Sequence, residues 1–166
     1  MRDIARRVRT NGCLIGAFAL LSAAACGTSA TESAAPKTTT AAKASTKPGE
    51  LTPFQIEHGI GPITEPVAIS AAIDESLSGT GSKVFEQKCA SCHKMDERYV
   101  GPPLGKVLER RTPTFVMNMV LNPQTMVEKH PVSKKLLAEF LLMMPNQNLT
   151  PDEARQVLEY LRSEQK

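Results

Sequence analysis

The sequence predicts an all-α domain, and three stretches predict it. Thr150-Pro151-Asp152-Glu153 is a complete helix start: a threonine N-cap, a proline in the first helical position and a glutamate three residues past the cap. Behind it Ala154, Val157, Leu158 and Leu161 form an apolar stripe, flanked by Tyr160, so a helix is expected over 151–162. A second helix is expected over 81–89, with Ser82 as a cap and Val84, Phe85 and Lys88 at helical spacing. Residues 114–121 read as a third, with Met117 and Met119 as core.

The chain has 166 residues, enough for one domain with appendages. Its formal net charge is +3. Arg2, Arg6, Arg7 and Arg9 against Asp3 already amount to that charge, so the remainder is near neutral. No basic face for nucleic acid is expected from such a balance.

Residues 1–25 read as an export signal: the basic start is followed by an apolar run from Leu14 to Leu21, then by small residues up to Cys26. The run is shorter than the roughly 20 residues of a membrane span. Its end resembles a bacterial lipobox, which implies diacylation of Cys26 and a mature protein held to the membrane by lipid. Ala23 stands where that motif usually has leucine, and Ala23-Ala24-Ala25 also suits ordinary signal cleavage. Either way the expected location is outside the cytoplasmic membrane, on the periplasmic side. Residues 26–49, rich in Ala, Thr, Ser and Lys, read as a disordered tether that would average roughly 25–30 Å end to end.

Residues 50–80 alternate apolar anchors such as Phe54, Ile60, Ile63 and Val67 with Gly59, Gly61, Pro62 and Pro66. An extended arm packing on the domain is expected, with a short helical turn near 70–77. His58 is expected to be a hydrogen-bonded or solvated loop histidine.

The chemistry centres on Cys89-Ala90-Ser91-Cys92-His93, the C-x-x-C-H pattern of covalent haem c attachment. Two thiols one helical turn apart can each add to a vinyl group of one haem, and the adjacent histidine is then held as an axial iron ligand. A thioredoxin-like pair needs a βαβ context, and none is visible. A zinc site using His58 and His130 lacks ligand spacing. A disulfide leaves His93 unexplained. The cysteine count agrees: Cys13 leaves with the signal, Cys26 takes lipid, and Cys89 and Cys92 take haem. One motif also excludes a dihaem peroxidase.

Several further motifs surround it: a Gly81/Phe85 helix, Gly101-Pro102-Pro103-Leu104, Asn122-Pro123, Met144-Pro145 and a terminal helix with Tyr160-Leu161. With these, residues 81–166 resemble a class I cytochrome c domain preceded by an extended arm. Residues 50–164 are also similar to bacterial monohaem cytochromes c found beside nitrous oxide reductase genes, through Glu57 to Pro62, Arg98 to Pro102 and Met144 to Thr150. The resemblance implies a one-electron carrier rather than an enzyme. Its partners would be other redox proteins, among them nitrous oxide reductase or a terminal oxidase. A permanent subunit of a reductase or oxidase is the alternative, and a haem enzyme or gas sensor a weaker one.

The resemblance also implies that Gly81 and Phe85 meet Val157 and Tyr160, and that the Pro102 carbonyl accepts from His93. It implies Met144 as the sixth iron ligand, His/Met ligation favouring a relatively high potential. Pro145 makes that loop stiff, and Met143, one residue away in an extended segment, points to the opposite side. Met143, Met126 and His130 remain alternatives. Arg98, Arg110, Arg111, Tyr99, Asn118 and Gln147 are candidate partners for the haem propionates.

Overall fold

A computed structural model of the chain describes residues 49–165. The signal, Cys26 and all of the tether but Gly49 lie outside them. The described residues form seven helices and no strand: α1 Pro53–His58, α2 Glu75–Lys88, α3 Val107–Arg110, α4 Pro113–Leu121, α5 Pro123–Lys129, α6 Pro131–Phe140 and α7 Pro151–Ser163.

Five of the seven open the same way. A residue outside helical backbone, extended in all but Asn122, is followed by proline at the first helical position: Thr52-Pro53, Thr112-Pro113, Asn122-Pro123, His130-Pro131 and Thr150-Pro151. Proline is suited to that place because its missing N–H would have no partner there. Thr52 and Thr150 each complete a capping box, with Gln55 and Glu153.

The main packing is α2 against α7. A Cβ on Gly81 would collide with the Gln156 carbonyl, so only glycine lets these backbones approach so closely. One turn on, Phe85 tilts against Tyr160 with ring centroids 5.2 Å apart. Phe85, Val116, Met117, Leu149, Val157, Leu158 and Leu161 form the buried core around this contact.

α2 begins at Glu75, six residues before the expected start. Asp74 is the N-cap, its carboxylate accepting from the Ser76 and Leu77 N–H groups. The proposed cap Ser82 therefore lies inside the helix, and the boundary drawn between residues 80 and 81 cuts through it. The arm carries the short α1 helix near its start, and residues 50–52 and 59–74 are extended or irregular.

A buried carboxylate ties arm, α2 and α7 together. Glu159, fully buried, is 2.5 Å from both Arg155 and Arg162 and accepts from the Asp74 N–H at 2.9 Å. Arg162 also donates to the Ser70 carbonyl at 2.6 Å. Burial pushes the Glu159 carboxyl up, but the Asp74 N–H and the two guanidinium groups outweigh it and hold it below the ordinary carboxylate value. A carboxylate depressed in the folded state contributes stability that is complete above its unfolded pKa and is lost as pH falls through its folded pKa. Glu159→Gln should therefore lower stability at neutral pH by about 2 kcal/mol and flatten the acid limb of a denaturation-versus-pH curve. An unchanged acid limb would remove Glu159 from this role.

Candidate haem pocket

α2 ends at Lys88, and the chain turns at once. The Cys92 and His93 N–H groups both donate to the Cys89 carbonyl, at 3.0 and 2.9 Å. This tight turn places Cys89, Cys92 and His93 on the wall of one cavity. Cys89 is buried and Cys92 half-buried, and the two are not joined in a disulfide. Burial, and then the neighbouring Cys92, pushes the Cys89 thiol up to about 11.

The loop after the turn orients the histidine. His93 Nδ1 lies 2.9 Å from the Pro102 carbonyl oxygen. A carbonyl only accepts, so Nδ1 carries the proton and Nε2 keeps its lone pair for a metal. Gly101 lies flat against the ring: a Cβ there would be 2.5 Å from His93 Cε1. The loop is closed by its own backbone, through Gly101 N–H to Cys92 O, Leu104 N–H to Lys94 O and Gly105 N–H to Met95 O, all 2.8–2.9 Å. Met95 is thus fixed in the loop, away from the cavity lining.

Most of the rest of the lining is apolar. α4 contributes Phe115, Val116, Met119 and Val120; α6 contributes Leu136, Leu137 and Phe140; α7 contributes Val157 and Leu161. After α6 the chain leaves through Leu141 in left-handed backbone and returns to it at Asn148. Between these two residues Leu142, Met144 and Pro145 reach the cavity, whereas Met143 is 46% exposed and does not. An apolar slot bordered by two thiols, one imidazole with a free Nε2 and a thioether suits a haem attached through both cysteines.

Two alternative ligands lie off the cavity lining. Met126 sits within α5, wholly buried, and its Sδ accepts from the Ile60 N–H at 3.0 Å. His130, also wholly buried, caps α6: Nδ1 accepts from the Val132 N–H, and Nε2 donates to the Ile56 carbonyl at 3.1 Å. Both ring nitrogens are used. His58 ends α1, rather than lying in a loop, and shares a 2.9 Å hydrogen bond with Thr112. Among the described residues no cluster of three His, Cys, Asp or Glu side chains could hold a metal ion.

The propionate candidates separate in the same way. Arg98 pairs with Glu139 at 3.1 Å and stacks on Phe140, outside the lining. Asn118 turns to the arm, Tyr99 is exposed beneath Lys94, and Gln147 bonds to the Pro145 carbonyl. Arg110 and Arg111 both border the cavity. Arg110 also braces the ligand loop through the Pro103 and Gly105 carbonyls at 3.1 and 3.3 Å. Reading the sequence did not find that brace, because a surface arginine near a motif carries no sign of which carbonyl it meets. Ser133 was also missed; it lines the cavity and donates to Met119 Sδ at 3.6 Å.

Comparison with known proteins agrees with this geometry. The family model described as cytochrome c matches residues 78–165. No curated protein matches the chain. Among solved structures, a cytochrome c from Rhodothermus marinus is 39% identical over 69% of this chain and 97% of its own, with a TM-score of 0.65. An engineered form of that cytochrome is 38% identical over 69% of this chain and 98% of its own, with a TM-score of 0.64. Its complex with a carbene intermediate gives 0.62 at the same identity and coverage. The chain belongs to the cytochrome c family and carries one covalently attached haem c.

Proposed function

We propose that this haem c electron carrier works with six-coordinate iron held by His93 and Met144, and passes single electrons between redox proteins on the periplasmic side of the membrane. The observation that carries the ligand assignment is the placing of the methionines. Met144 is the loop sulfur on the lining, beside Pro145 and between two left-handed residues. Met119, the other methionine on the lining, belongs to a helix and accepts from Ser133.

When bound, the haem supplies an iron that cycles between Fe(III) and Fe(II). The residues of the chain fix its surroundings. The Pro102 carbonyl holds His93 in the tautomer that leaves Nε2 free and raises its basicity. The apolar walls exclude water, and the Met144 thioether as a ligand would favour a relatively high potential. His93 and Met144 together would leave substrate no open site on the iron, so the chemistry would be transfer and not catalysis.

We further infer that Cys26 is diacylated and that residues 26–49 tether the domain to the membrane. The small residues before Cys26 support this, as does the need of c-type haem attachment for export. A diacylated cysteine supplies the two chains that stable anchoring requires. The partners are other redox proteins; nitrous oxide reductase or a terminal oxidase is the pairing suggested by the likeness of Glu57 to Pro62 and Arg98 to Pro102.

Three outcomes are expected. Acid-acetone should leave haem on the polypeptide, and Cys89→Ala with Cys92→Ala should abolish attachment; extraction of haem from the wild-type chain would refute two thioethers. Ferric protein should show the weak band of sulfur-ligated haem at roughly 695 nm. Met144→Ala should lose that band and lower the potential, while Met143→Ala and Met126→Ala retain it; a Met144→Ala protein that keeps the band would rule the assignment out. Finally, Cys26→Ser should move the protein from the membrane fraction to the soluble one, and an unmodified mature N-terminus by mass spectrometry would argue against the anchor.

A further inference from the structure

The arm is not joined to the domain by apolar contacts alone. Its backbone is hydrogen-bonded, group after group, to side chains of α4 and α5, of Asn122 between them, and of His130, the N-cap of α6. Asn118 stands at the centre and is wholly buried. Its Oδ1 accepts from the Ile63 N–H at 3.0 Å, and its Nδ2 donates to the His58 and Ile63 carbonyls at 3.1 and 2.9 Å. Around it, Thr114 accepts from the Val67 N–H at 2.8 Å, and Asn122 donates to the Ile60 carbonyl at 3.3 Å. The contacts of Met126 and His130 with Ile60 and Ile56 complete the seam. A Cβ on Gly61 would strike the Asn118 amide, so the arm carries glycine where it crosses.

The same three helices form a wall of the haem pocket on their other faces. Thr114 and Asn118 face the arm, while Phe115, Val116 and Met119 line the cavity. Val127 of α5 and Leu136 of α6 continue that wall. His130 meets Phe115 edge-on, with ring centroids 5.2 Å apart, so a seam residue touches a wall residue directly. Without the arm the Asn118 amide would be left in a dry site with three bonds unmade, a cost the helices would relieve by shifting.

We propose that Asn118 is a positioning residue for the haem. By clasping the arm it holds the α4–α6 wall against the cofactor, and so governs how readily a foreign ligand reaches the iron. This rests on haem occupying the pocket and not on which sulfur binds it.

The test uses full-length holoprotein with imidazole as the probe, titrated into the ferric form, alongside the midpoint potential. Asn118→Ala should bind imidazole about tenfold more tightly and show a lower potential, with its haem still covalent. Thr114→Val, which removes only the Val67 bond, should move both readouts in the same direction by less; it keeps the question answerable if Asn118→Ala does not fold. Asp74→Ala removes the α2 cap without touching the seam and should leave both at the wild-type values. Wild-type imidazole affinity and potential in Asn118→Ala and Thr114→Val would overturn the proposal, as would an equal shift in Asp74→Ala. Failure of the Met144 assignment would show separately, in the 695 nm band.

Discussion

The contact between the backbones of α2 and α7 at Gly81 is the constraint on which everything else depends. It brings the helix that ends in Cys89 against the helix that supplies Val157 and Leu161, so one crossing sets two sides of the pocket at once. A side chain at Gly81 would push the helices apart and carry the thiol turn away from the wall it must face. The buried carboxylate of Glu159 reinforces the crossing one turn along, and there the arm is joined to it as well. Protein interiors are packed closely enough that a shift at such a point is passed on rather than absorbed.

Most of the Cys89–Pro102 side of the haem pocket was legible in the sequence, because its parts are contiguous. Cys89, Cys92 and His93 lie within one turn, and Pro102 is nine residues on, so local spacing carries the geometry. The terminal helix was legible for the same reason, its cap, proline and glutamate being neighbours. The same signal was present at Thr52-Pro53 with Gln55, at Thr112-Pro113, at Asn122-Pro123 and at His130-Pro131. Weighing His130 as an iron ligand hid its other role, that of a helix cap whose two nitrogens are both engaged. The start of α2 was misplaced because Ser82 is a plausible cap, whereas Asp74 lies before a Ser- and Gly-rich run that has little helical period of its own. Packing against α7 outweighs that weak propensity.

What the sequence did not disclose was long-range pairing between polar groups. Asn118 was weighed as a propionate donor because its amide can donate a hydrogen bond. Its partners at residues 58 and 63 are more than fifty positions away, and nothing local points to them. Glu159 was hidden for a related reason. It stands among apolar residues, and only the paired arginines at 155 and 162 mark it as a buried anchor rather than a solvated charge.

The way the arm is held has a consequence for how its sequence can change. Along residues 56–67 the groups grasped are, the His58 ring on Thr112 apart, N–H and C=O groups, which every residue but proline carries alike. Substitutions in the arm's outward side chains, such as Glu57 or the half-exposed Ile56, leave those bonds intact. Selection there should fall on the glycines, on the inward side chains of His58, Ile63 and Val67, and on the few residues that grip from the helices. Related chains would then diverge freely at the arm's outward positions while keeping an amide at the position of Asn118 and no side chain at that of Gly61.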